Sequence, residues 1–240
     1  MPPPTQPCGG RVAGGYNILS GNQNFNDDNG HGTHVSGIIA ATGRSGGLYG
    51  VSPGVHLYGI KALDRDGNGR VSDIIKGMEW AIDNNIQVLN MSFGDSKHNA
   101  ALEHATRKAH QKGIILVGSA GNDGERGGTI DYPARFPWVL SVGAVDHDMK
   151  RASFSSKGGR IDIMAPGVDI RSTWKGGAYK VESGTSMSAA HVSGGAALVL
   201  ARNPGMNSVR AQRYLVQLNQ PLGPRREYGH GLLDLSPLSK

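Results

Sequence analysis

Cysteine is nearly absent from this chain. One residue, Cys8, in 240 excludes an internal disulfide framework and any metal cluster built on thiolates. No apolar run approaches the length of a membrane span, so no membrane partner is expected. Residues 1–7 are proline-rich and hold neither a basic n-region nor an apolar h-region, so no signal peptide is read in the chain as written. Clustered charge is missing too. The formal charge is +6, yet Lys and Arg are scattered, with only the short pairs Lys150-Arg151 and Arg225-Arg226. Without a basic stripe, a nucleic-acid partner is not expected.

What is plentiful is glycine, at 37 residues, which implies many tight turns and close backbone approaches. Hydrophobic residues at 38% and charged residues at 18% describe a globular chain rather than a disordered one. Its length allows a substantial core, and neither a repeat nor a linker divides it. The expected organisation is an extended lead over residues 1–10 and one folded domain over residues 11–240.

Short apolar strands alternate with helical periodicity. Strands are expected near Val12 and over residues 55–61, 87–91, 114–118, 139–145 and 161–165. Helices are expected over residues 31–41, 72–84 (with Ser72 as N-cap), 99–112, 186–203 and 208–218. This alternation predicts an α/β fold, a three-layer α/β/α sandwich with a mostly parallel central sheet. Ligands in such folds bind at the carboxyl ends of the strands, where the turns Ser92-Phe93-Gly94, Ser119-Ala120-Gly121-Asn122 and Ala165-Pro166-Gly167 fall.

Three short segments carry candidate chemistry. In Ser183-Gly184-Thr185-Ser186-Met187-Ser188, Ser186 starts a helix that is apolar almost all round. A hydroxyl there sits where unpaired N–H groups and the helix dipole favour developing negative charge, although an N-cap serine reads the same way. In Asn29-Gly30-His31-Gly32-Thr33-His34, His31 stands between glycines, open to a neighbouring serine, and His34 points more toward the core. A zinc site on these two histidines lacks a convincing third ligand. Asn122 follows a buried strand, and its side-chain amide suits an oxyanion donor or a turn asparagine.

Together, Asn29 to Val35, Ala120-Gly121-Asn122 and Gly184-Thr185-Ser186-Met187 resemble the histidine, oxyanion and serine motifs of the subtilisin-like serine proteases, peptidase family S8. The likeness continues through Asn90-Met91-Ser92-Phe93-Gly94, Val142-Gly143-Ala144-Val145-Asp146 and Met164-Ala165-Pro166-Gly167. It implies a serine endopeptidase acting on polypeptide substrates, extracellular and monomeric. Ser186 would be the nucleophile, His31 the general base and Asn122 an oxyanion donor. Ser92, Phe93 and Gly94 with Gly67, Asn68 and Gly69 would form two edges for an extended substrate, and Ser119, Ala120 and Gly121 would wall the first specificity pocket. Asp131 aligns with the base of that pocket and Asp123 with its rim. Two carboxylates there would favour Lys or Arg before the cut, whereas a loop acid is otherwise solvated.

The chain departs from the family in two ways. The resemblance implies an aspartate on an early central strand, ahead of Arg11-Val12-Ala13-Gly14-Gly15, and residues 1–10 hold no acid. The expectation is therefore a sheet with that strand missing, a Ser/His dyad of impaired activity, and a chain that reads as truncated at its N-terminus. An inactive peptide-binding homologue and an incomplete gene product are the alternatives. Asp27 and Asp28 lie near His31 in sequence but are not expected behind its ring. In the loop Thr42-Gly43-Arg44-Ser45-Gly46-Gly47-Leu48, Arg44 falls where an oxygen ligand for calcium is implied. The strong calcium site is thus expected to be lost, with a weaker cation site near Asp162 and no certain cofactor.

Overall fold

A computed structural model describes residues 12–43, 47–124 and 129–239. In chain order the elements are β1 (Val12–Asn17), α1 (His31–Ala40), β2 (Leu57–Lys61), α2 (Val71–Asp83), β3 (Val88–Met91), α3 (Ala100–Gln111) and β4 (Ile115–Ser119). They continue with β5 (Val139–Val145), β6 (Ile163–Pro166), β7 (Ile170–Thr173), β8 (Tyr179–Glu182), α4 (Thr185–Arg202), α5 (Ser208–Gln217) and the single turn α6 (Arg225–Tyr228). Every residue of β4 and β5 is buried, as a parallel strand covered on both faces requires.

The three layers follow from residue period. Ile115 and Val117 of β4 join Val142, Ile163 and Ala165 in a cluster with Ala189, Val192, Ala196 and Val199 of α4 and Leu215 of α5. Leu116, between them in sequence, joins the opposite cluster with Met78 and Ala81 of α2 and Leu102, Ala105 and Ala109 of α3. Successive strand residues therefore feed opposite layers. α4 is apolar all round because it is enclosed all round: sheet on one side, and α1 through Met187 and Ala190 on another. α1 lies directly on β7, where a Cβ at Gly37 would stand 2.3 Å from Thr173 Oγ1. Only glycine allows that approach. Among the described residues, no helix is long and apolar enough to cross a membrane.

Among the described residues the sheet is not continuous. β3-β4-β5-β6 form one parallel sheet, β1-β2 a separate parallel pair, and β7-β8 an antiparallel hairpin. Between β2 and β3 runs a cavity of about 1220 Å³. Its walls include every residue of Leu57–Lys61 and residues 87–90 in succession. Side chains of a strand alternate between faces, so consecutive lining residues mean that the cavity meets both strands at their backbone edges.

Local chemistry corrects several sequence expectations. α2 starts one residue earlier than expected, after Arg70, so Ser72 lies inside the first turn and caps nothing. Asn99 does cap α3, its side chain accepting from Leu102 N at 3.0 Å. β7 and β8 were not expected, and the strand expected over residues 161–165 starts two residues later and ends one later, as Ile163–Pro166. The lead over residues 1–10 lies outside the described residues, as does Arg44 of the expected calcium loop.

Candidate functional site

The carboxyl ends of β2 and β3 and the amino ends of α1 and α4 meet on one side of the molecule. Asn29 Nδ2 donates to Arg65 O at 2.9 Å, which ties the start of α1 to the segment after β2. Ser92, just beyond β3, is tied to the start of α4: Ser92 Oγ donates to Ser186 O at 2.9 Å, and Ser186 Oγ donates to Ser92 O at 3.2 Å. His31 and Ser186 therefore open two helices that pack against each other through Val35, Ile38 and Ile39 on α1 and Met187 and Ala190 on α4.

Gly30 gives α1 its start. Its φ of 113° is open to glycine and strained for other residues. The orphan N–H groups of that first turn converge on Asp27, whose carboxylate accepts from Asn29 N at 3.0 Å, Gly30 N at 2.8 Å and Thr33 N at 2.7 Å, and from Thr33 Oγ1 at 2.7 Å. Burial pushes the Asp27 carboxyl up, but these bonds prevail and hold it below its usual range. Asp28 is paired with Lys61 at 2.5 Å. Neither acid is bonded to the His31 ring. Desolvation lowers the pKa of His31, with the neighbouring His34 adding to the effect, while Asp27 and Glu182 oppose it only through space. No described carboxylate is hydrogen-bonded to His31. The imidazole is neutral at neutral pH and able to accept a proton. His34, as expected, is fully buried, its Nε2 within 3.0 Å of Ile170 O and 3.1 Å of Lys180 O.

Asn122 is set by α4. Its Oδ1 accepts from Thr185 N at 3.0 Å and from Thr185 Oγ1 at 3.1 Å. A backbone N–H can only donate, so the amide cannot be flipped, and Nδ2 is the end left over for another group. Nδ2 lies 3.6 Å from the position a Cβ would take on Gly184. A carbonyl oxygen arriving at the start of α4 would thus find a side-chain amide and the orphan N–H groups of a helix together.

Asp131 sits between two glycines on facing segments. A Cβ on Gly94 would stand 2.9 Å from its Oδ2, and one on Gly121 2.5 Å. The backbone around it is held by Asp131 N donating to Ala120 O at 3.0 Å. Burial, and then the charges of Asp123 and Asp95, push its carboxyl up to about 6. Three acids sharing one recess is an arrangement that a cationic side chain would relieve. The expected pocket walls Ser119, Ala120 and Gly121 are buried, whereas Gly67, Asn68 and Gly69 are exposed on a loop ordered by Asp64, which accepts from Asn68 N at 2.9 Å.

Asp162, near which a weaker cation site was expected, is engaged by protein groups. Asp162 Oδ2 accepts from Ser141 N at 2.9 Å and pairs with Arg160 at 3.0 Å. Among the described residues, no three His, Cys, Asp or Glu side chains cluster as a metal site. Sequence reasoning missed the acceptor role of Thr185 toward Gly121 N (3.2 Å) and its grip on Asn122. The threonine stood beside the serine in the motif, but only the fold brings residue 122 to it.

Comparison with known proteins adds to this geometry. The family model described as "Subtilase family" matches residues 9–231. A thermostable alkaline protease of Halalkalibacterium halodurans is 45% identical over 223 residues, 93% of this chain and 61% of that protein. Subtilisin DY of Bacillus licheniformis is 43% identical over 227 residues, 94% of this chain and 83% of that protein. The chain thus spans about three-fifths of the length of the first relative. Among solved structures, Sphericase superposes with a TM-score of 0.84 at 32% identity, covering 90% of this chain and 82% of that one. A cold adapted subtilisin-like serine proteinase gives 0.84 at 34% identity, covering 95% and 81%.

Proposed function

The chain belongs to the subtilase family, and on that premise we propose that it is a serine endopeptidase working by acyl transfer. Ser186 Oγ attacks the scissile carbonyl while His31 takes its proton. The oxyanion is held by Asn122 Nδ2 and the backbone N–H of Ser186. His31 then returns the proton to the leaving amine, and water repeats the sequence on the acyl-enzyme. The observation that carries this reading is the fixed amide of Asn122, whose oxygen is bound by Thr185 and whose donor is thereby free for substrate. Covalent labelling by a fluorophosphonate, with Ser186→Ala as control, tests it. Labelling at Ser186 supports an activated serine, and no labelling at any pH from 6 to 10 overturns the reading.

Substrate lies extended between Ser92-Phe93-Gly94 and Gly67-Asn68-Gly69, pairing by backbone. The residue before the cut enters the recess over Asp131, which favours Lys or Arg. The protein acts as a monomer on extracellular polypeptides, in keeping with the family resemblance, and the strong calcium site is lost at the loop that carries Arg44.

Turnover is low in this reading, because no described carboxylate holds the His31 ring in its tautomer. In subtilisin the loss of that carboxylate costs roughly 10⁴-fold in kcat. A catalytically inactive peptide binder is the second reading. The observation in its favour is that Ser186 Oγ donates to Ser92 O rather than to His31. The same labelling experiment separates the two.

A further inference from the structure

Away from the candidate site, at the amino ends of β5 and β6, three oxygens converge on one nitrogen. The two strands are parallel neighbours, so their starts lie side by side. A guanidinium nitrogen of Arg160 donates to Val139 O at 2.6 Å and to Phe136 O at 3.3 Å, and stands 3.0 Å from Asp162 Oδ2. The two carbonyls belong to one turn, closed by Val139 N donating to Phe136 O at 3.0 Å. The carboxylate is fixed as well. Asp162 Oδ2 accepts from Ser141 N at 2.9 Å, Asp162 N donates to Ser141 O at 2.9 Å, and Asp162 O accepts from His230 N at 3.0 Å. The cluster therefore joins the starts of two central strands to the carboxyl-terminal segment.

The oxygens are placed by the backbone, whereas the cation arrives on a side chain. Asp162 is only 7% exposed, and Arg160 is exposed and reaches in from the surface. Burial pushes the Asp162 carboxyl up, and Arg160 is the strongest influence opposing it. A terminal guanidinium nitrogen has two hydrogens to give, fewer than the three oxygens it faces, so charge attraction and not hydrogen bonding alone holds it there. Carbonyls and a carboxylate held around one point are also the donor set of a hard cation such as calcium. With the guanidinium in place they do not fit a metal ion, because two cations would share one carboxylate at close range.

We propose that Phe136 O, Val139 O and Asp162 form a cation cage whose cation is carried by the chain itself. The Arg160 guanidinium ties the starts of β5 and β6 together as a bound metal ion would, and no metal is needed at this place. Two consequences follow from that role. Chelators leave the cage intact, and removal of the guanidinium turns it into a site for a divalent cation. Neither consequence depends on the roles proposed for Ser186 and His31.

The test uses the full 240-residue chain, Arg160→Ser, which opens the cage, and Arg160→Glu, which adds a carboxylate to it, each also combined with Asp162→Asn. Urea midpoints are read in chelator and in millimolar calcium. Terbium luminescence excited through tryptophan reads occupancy, since Trp138 lies within the turn that carries both carbonyls. In chelator Arg160→Ser should unfold at lower urea than the parent, and calcium should raise its midpoint saturably and by more than it raises the parent's. Arg160→Glu should unfold earlier still in chelator and recover at a calcium concentration about tenfold lower, because ligand charge tunes affinity. Terbium luminescence should rise in the same order, and Asp162→Asn should abolish both gains. A variant that folds only in calcium supports the proposal equally. It is overturned if neither variant gains more from calcium than the parent does, if the gain survives Asp162→Asn, or if neither variant folds even in calcium. It is also overturned if the parent binds terbium as tightly as Arg160→Ser and loses that binding with Asp162→Asn.

Discussion

Ser186 and Ser92 are bonded to each other twice over. The hydroxyl of each donates to the backbone carbonyl of the other, at 3.2 Å from Ser186 and 2.9 Å from Ser92. The start of α4 is thereby fastened to the end of β3, and the two bonds are not equal in cost. Ser92 Oγ also accepts from Asn90 Nδ2 at 2.8 Å. Ser92→Ala should lower stability by about 1–2 kcal/mol, since it strands a part-buried amide as well as a carbonyl. Ser186→Ala should cost less than about 1 kcal/mol. Urea denaturation of the two variants checks the order.

Asn122 has two ends, Oδ1 bound by Thr185 and Nδ2 proposed as oxyanion donor, and the two can be separated. Asn122→Asp keeps an acceptor for Thr185 N and Oγ1 but removes the Nδ2 donor. Asn122→Ala removes both. Both variants should lose roughly 10²–10³-fold in kcat, the size familiar from subtilisin, with KM little changed. The Ala variant alone should also lose thermal stability. Steady-state kinetics with a melting curve for each distinguishes them.

The acid limb of activity should fall below the ordinary imidazole value. A general base works only when neutral, and burial together with His34 depresses the pKa of His31. The kcat/KM profile should therefore hold to a pH lower than the unperturbed value of about 6.5. His34 carries charge only once protonated, and burial lowers its pKa too; His34→Gln, by removing the charge it gains at low pH, should move that limb upward. A pH profile of kcat/KM for the chain and the variant reads both.

Asp131 predicts a pH-dependent preference. Its carboxyl titrates at about 6, so the ratio of kcat/KM for Lys over Phe before the cut should rise as pH passes from 5 to 7. In Asp131→Gly the ratio should be flat. The stability effect has the opposite sense. Because the folded state holds the proton above the unfolded value, stability falls as pH rises from about 4 through 6, and Asp131→Asn should remove that fall. Peptide pairs and melting curves across this window check the two effects.

Asp27 behaves the other way. Its folded pKa is depressed, so its contribution is present above the unfolded value and lost as pH falls through the folded one. Asp27→Ala removes the acceptor of four bonds at the start of α1 and should cost about 1–2 kcal/mol at pH 7. The deficit should shrink toward pH 2 in denaturation experiments.

Much of this was legible in the chain because periodicity and motif agreed. β4 and β5 are apolar runs with no polar break, α3 has its Asn99 cap, and α4 begins at the serine motif. What could not be read was partnership. Thr185 and Asn122 lie far apart in sequence, and nothing in either segment announces that one orients the other. The hairpin of β7 and β8 escaped because Ile170–Thr173 and Tyr179–Glu182 are only four residues each, too short to show alternation. The pairing of Asp162 with Arg160 was not legible because Arg160 reads in sequence as another surface charge. Ser72 looked like a cap because serine favours that place, yet the helix had already begun at Val71.

The break in the sheet also governs how this molecule comes apart. A backbone ladder spreads strain across every strand it joins, and among the described residues the ladder stops at β2 on one side and β3 on the other. Among the described residues β1 and β2 share no strand pairing with the remainder; Ile60 is lodged against α2, and Asn29 ties the start of α1 to the segment after β2. Two strands by themselves are marginal in water. Heating should therefore melt the molecule in two steps rather than one, the amino-terminal pair detaching first while the four-stranded sheet and α4 persist as the last cooperative unit.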